Sequence, residues 1–158
     1  MFLFSVRERG HYHVISVVLK KMKMGIIDNC PAHTPNKAKY GRAPADLQAF
    51  LASFFVAIKL PDRADCVRHL KPKRMHMSWR DATILEDSVI YIMRHMESYL
   101  GQGVSNWECG LVKGDRDILN DLRKRFMHDI LVSNINMHKH SVIQRALEYD
   151  CKISARAS

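Results

Sequence analysis

The sequence predicts a mainly α, single-domain protein: a bundle of four to five helices, with a small N-terminal β-hairpin as an option. Two observations carry this expectation. Apolar residues recur at helical spacing over most of residues 45–150, and glycine and proline punctuate the chain where those segments begin and end. At 158 residues, 47% of them apolar and 26% charged, the chain is long enough for one domain with its own core. The division expected is a less regular, basic N-terminal region over 1–44 and a helical core over 45–150.

At the N-terminus, Phe2, Phe4 and Val6 alternate, and so do Tyr12, Val14 and Val18, with Glu8-Arg9-Gly10 between them as a candidate hairpin turn. A helix over 13–24 competes, because Val14, Val17, Val18 and Lys21 share a helical face. β-branched residues favour the strands. Residues 25–44, broken by Gly25, Pro31, Pro35, Gly41 and Pro44, read as loop.

A helix over 45–60 follows, opened by Pro44 and stopped by Pro61. Its apolar residues run almost all the way round, which predicts burial at the centre of the fold. A short helix fits 62–70. Ser78 is a suitable N-cap for a helix to about Leu100, with Asp81 three residues on and a stripe that includes Ile84, Leu85, Val89 and Ile92. A helix over 115–132 buries Ile118, Leu119, Leu122, Phe126, Ile130 and Leu131. A last helix runs from 138 or 141 to 150, and residues 154–158 should fray.

The formal charge is +9, unevenly spread. Residues 1–40 carry seven Lys or Arg against two acids, and 59–80 again seven against two, whereas 81–136 carry six against nine. Clustered cations attract polyanions through counterion release, and they equally serve as a solvated surface. The stretch Arg68 to Arg80 is the best candidate for nucleic acid. Lys71, Lys73, Arg74 and Arg80 would contact phosphate and Trp79 would stack on a base, although Trp79 also suits the core.

No apolar run approaches the roughly 18 residues of a membrane span, and the first residues lack the order of a signal peptide, so a cytoplasmic setting is the default expectation. Cys30, Cys66, Cys109 and Cys151 are too dispersed for a zinc knuckle and read as isolated thiols. His11 and His13, like His138 and His140, alternate without a carboxylate or thiol nearby in sequence, and read as surface residues. No cofactor and no metal is expected, since neither a phosphate-binding glycine loop nor a serine elbow occurs.

The run Asp117 to Asp129 holds Arg123, Lys124, Phe126 and His128 within one helical segment. It resembles the Arg-Asn-x-Phe-Ala-His run of HEPN domains, especially the group similar to the mannitol-operon repressor. Cys109-Gly110-Leu111-Val112 resembles the turn that often precedes that helix, and Ser88 to Leu100 resembles the family's long helix. The resemblance spans about residues 80–132. It implies an all-α fold and metal-independent RNA cleavage or RNA binding, with His128 as general acid or base, Arg123 on the scissile phosphate and Lys124 as a further phosphate ligand. Five helical residues place Arg123 and His128 about 140° apart, so the resemblance also implies a homodimer in which two motifs face each other. The same run reads as a solvated helix face with Asp121–Arg125 and Arg125–Asp129 pairs. The other functional reading is a non-enzymatic regulatory or inhibitory module that binds protein or nucleic acid.

Overall fold

The computed structural model describes residues 1–31, 34–81 and 87–157. They contain more sheet than the sequence predicts. Strand β1 (Phe2–Glu8) and strand β2 (His11–Val18) form the expected hairpin, turning through Arg9 at φ 50° and Gly10 at φ 82°. Paired positive φ values make a two-residue turn whose twist matches that of the strands, and glycine takes that conformation without strain. The hairpin is only half of the sheet. Strand β3 (Lys23–Ile27) pairs antiparallel with β2, and strand β4 (Pro72–Arg74) pairs parallel with β3, giving the order β1-β2-β3-β4.

This mixed sheet replaces the mainly α bundle. Residues 13–18 of β2 are all buried, on both faces of the strand. A strand covered on both sides loses the alternation that marks a half-buried strand, and its apolar run then imitates a helix. The predicted loop over 25–44 also contains the end of β3 and helix α1 (Asn36–Tyr40).

Between β3 and β4 the chain forms α1, helix α2 (Ala43–Ala57) and helix α3 (Pro61–Arg68). Ile15, Val17 and Met24 of the sheet pack with Leu51, Ala52 and Phe55 of α2 and with Ala64, Val67 and Leu70. α2 is not the fully buried helix that its composition predicts. Leu51 and Phe55 face the core one turn apart, while Phe50 and Phe54 are 63% and 42% exposed. Lys59, at φ 61°, reverses the chain into α3.

Helix α4 (Ser88–Ser98) packs against β2. Ser78 does not cap it. Residues 79–81 are non-helical, and the Asp81 amide donates to the Asn29 carbonyl at 2.8 Å. Ile84 and Leu85, placed on this helix from the sequence, lie outside the described residues. The inner side of α4 presents Tyr91, Ile92 and His95. His95 Nε2 accepts from Trp79 Nε1 at 3.1 Å, and Trp107 stacks edge-on against Trp79 at 5.0 Å.

Contact density divides the chain into two units, Met1–Asp115 and Arg116–Ser158. The second is formed by helix α5 (Arg116–Val132) and helix α6 (Lys139–Ala157), which touch each other. On α5 only Leu119 and Phe126 are buried, and Ile130, expected inside, is 59% exposed. α6 continues to Ala157 rather than fraying after residue 153. Among the described residues, no helix is long and apolar enough to cross a membrane.

Candidate functional site

The sheet carries a carboxylate that its own topology buries. β3 runs through Ile26 and Ile27 into the interior, and the next residue, Asp28, follows it inside with no exposed side-chain surface. A buried carboxylate is costly unless its oxygens are saturated with donors. Here Oδ1 lies 2.7 Å from His11 Nε2 and accepts the Cys30 amide at 2.9 Å. Oδ2 accepts the Tyr40 hydroxyl at 2.8 Å and pairs with Lys39 Nζ at 2.7 Å. Burial opposes the negative charge, yet the bonds from His11, Lys39 and the Cys30 amide outweigh it and hold Asp28 well below the usual carboxylate range.

Each partner is placed by a short element. His11 is the first residue of β2, directly after the Arg9-Gly10 turn, and its side chain is 20% exposed. Lys39 and Tyr40 close α1. The Tyr40 ring is further held by cations, with Lys39 Nζ 5.6 Å and Arg74 Cζ 5.1 Å from its centre. Burial, then the charge of Asp28 and its hydrogen bond, push the Tyr40 phenol far above its ordinary value, so it acts as a donor throughout.

His11 therefore turns Nε2 to a buried carboxylate. No described residue hydrogen-bonds its Nδ1. This is the geometry in which an aspartate fixes the tautomer and orientation of a general base. Around the pair, other polar groups are sealed in. Both ring nitrogens of His13 and both side-chain polar atoms of Asn29 lack a hydrogen-bond partner among the described residues. His13 lies 4.8 Å from the Tyr40 ring, and burial pushes its imidazole down to about 4, with Asp28 opposing.

Ser88 is buried and opens α4, the helix packed on β2. The Asp81 amide donates to the carbonyl of Asn29, the neighbour of Asp28. A helix N-terminus carries partial positive charge, which favours an anionic side chain or intermediate there.

The residues singled out from sequence fall elsewhere. Arg123, Lys124 and His128 are exposed on α5. Arg123 bonds Asn120, Lys124 pairs with Asp121 at 3.4 Å, and His128 lies 3.3 Å from Asp129, all on the same helix. Trp79 is 6% exposed and belongs to the core, not to a stacking surface. Arg80 bonds the Met77 carbonyl and meets His76. Lys71, Lys73 and Arg74 do come together, at and just before β4, in the lining of a cavity. His11 and His13, read from sequence as surface residues, are the clearest revision: one is paired with Asp28 and the other is 1% exposed. The available signal was an acid placed directly after the buried run Ile26-Ile27, a position no strand needs for packing.

Comparison with protein-family models, curated proteins and solved structures finds no match for this chain.

Proposed function

We propose that the protein is a hydrolase of the nucleophile–histidine–aspartate type, acting on an acyl bond such as an ester or peptide. His11 is its general base, Asp28 its orienting acid and Ser88 its nucleophile. The observation that carries this reading is the His11–Asp28 pair. A carboxylate with no exposed surface and four donors holds an imidazole that still reaches solvent. A surface ion pair would need none of this investment, since exposed pairs contribute at most about 1 kcal/mol.

In the reaction His11 Nδ1 takes the proton of the Ser88 hydroxyl as Oγ attacks the acyl carbon. The tetrahedral intermediate collapses when His11 returns that proton to the leaving group, leaving an acyl-serine. Water then attacks the acyl carbon, gives its proton to His11, and releases the acid as the proton returns to Ser88 Oγ. Asp28 stabilises the imidazolium in both halves without accepting a proton, consistent with a pKa far below neutrality. Developing negative charge beside Ser88 is favoured by the N-terminus of α4.

The test is hydrolysis of a p-nitrophenyl ester by the wild-type chain and by His11→Ala, Asp28→Asn, Ser88→Ala and Cys30→Ala, with thermal unfolding recorded for each. The first three should each lose at least ~100-fold in kcat/KM, and Cys30→Ala should stay within about twofold. Turnover lost in Cys30→Ala but kept in Ser88→Ala would reassign the nucleophile. No wild-type turnover above the buffer rate would remove the reading.

A further inference from the structure

At the opposite end of β2 and β3 from His11 and Asp28, the first unit contains a cavity of about 770 Å³. Its rim is cationic. Lys21 comes from the β2–β3 connection and Lys23 opens β3, Lys71 immediately precedes β4 and Lys73 lies in it, and His69 and His76 flank them. Among the described residues, no acidic side chain lines it. Lys23, Lys71 and Lys73 have no ion-pair partner among the described residues, and Lys21 spends its ammonium on the Gly101 carbonyl at 2.9 Å. Surface lysines are ordinarily interspersed with acids, so a cluster without them concentrates positive potential at one place.

The floor is different in kind. Met24, Met75, Leu70 and Tyr99 provide apolar surface between the charged edges. Gly25 keeps the floor low: a Cβ there would meet Ser16 Oγ at 2.7 Å. The parallel register sets Gly25 beside Lys73. Lys71, just before β4, and Lys73 within it both line the cavity, and two residues of extended chain separate them by about 7 Å. That spacing is comparable with the separation of successive phosphates in an extended strand. Lysine ammonium groups are point charges suited to phosphate, whereas carboxylate recognition favours the planar fork of arginine.

We propose that this cleft binds single-stranded nucleic acid, its lysines on consecutive phosphates and its methionine-lined floor against the bases. The ligand's defining chemistry, a flexible phosphodiester backbone with flat bases, is shared by RNA and DNA.

Fluorescence anisotropy with fluorescein-labelled 12-nucleotide RNA and DNA strands of one sequence tests it, over a series of salt concentrations. Lys71→Glu/Lys73→Glu, and separately Lys21→Glu/Lys23→Glu, should each raise Kd at least tenfold for the strand bound by the wild type. Removal of two phosphate contacts should reduce the steepness of log Kd against log salt by ~1.4. A charge-matched change on α5, Arg123→Glu/Lys124→Glu, should alter Kd less than threefold. RNA alone binding would add a contact to the 2′-hydroxyl, and both strands binding would leave the backbone as the determinant; either supports the cleft. Equal weakening by the cleft and α5 variants would reduce the effect to diffuse charge and overturn the proposal. So would absence of strand binding at 50 mM salt.

Discussion

Asp28 gathers its donors from three parts of the chain: His11 from β2, Lys39 and Tyr40 from α1, and the Cys30 amide from the residues just after it. Losing the carboxylate charge would leave Lys39, whose side chain is 15% exposed, without its counter-ion and His11 without its acceptor. Asp28→Asn should therefore lower the unfolding free energy by about 3 kcal/mol, read from the urea midpoint at unchanged slope. A loss below ~1 kcal/mol would mean that the amide satisfies the same donors and that the charge is dispensable. None of this cluster was legible in the sequence. Its members are separated by up to 29 positions, and only the antiparallel pairing of β2 with β3 brings His11 and Asp28 to the same end of the sheet. Arg123 and His128, by contrast, are close in sequence, which on a helix leaves them on different sides.

At the level of elements, periodicity separated the exposed helices well and the buried strands poorly. α5 over 116–132 and α3 over 61–68 fall within one or two residues of the expected spans, because one face of each meets solvent. β3, with Met24, Ile26 and Ile27 all buried, offers no polar alternation, and from Gly25 onward the glycines and prolines that follow make it read as loop. β4 is only three residues long and is defined by its parallel pairing with β3, a relation that local pattern does not contain. Two buried histidines mark where β2 and α4 seal the interior. Burial pushes His95 down to about 3 and His13 down to about 4, from an ordinary 6.5. Both are neutral in the folded chain, while the unfolded chain protonates them as pH falls below 6.5. Their contribution is complete above that pH and declines as pH falls toward the folded values. At pH 5 each histidine should have forfeited about 2 kcal/mol, so Tm should drop from pH 7.5 to pH 5. Asp28, with its depressed pKa, keeps its contribution throughout that window. A flat or rising Tm would contradict the burial of these imidazoles.

Across the molecule, the first unit holds the whole sheet, the His11–Asp28 pair and the lysine-rimmed cavity, and the second holds α5 and α6. The uneven charge noticed in the sequence takes on a location: both basic segments, 1–40 and 59–80, belong to the first unit, and their lysines meet at the β3–β4 edge. Proposed chemistry and proposed strand binding thus occupy opposite ends of one sheet. Activation of Ser88 by His11, oriented by Asp28, is the step on which the proposed chemistry stands. Its most direct measurement is the mass of the intact protein after exposure to an alkyl fluorophosphonate, followed by mapping of the modified peptide. A single adduct on Ser88 is expected in the wild-type chain and none in His11→Ala. No adduct, an adduct on another residue, or labelling at the same rate without His11 would contradict it.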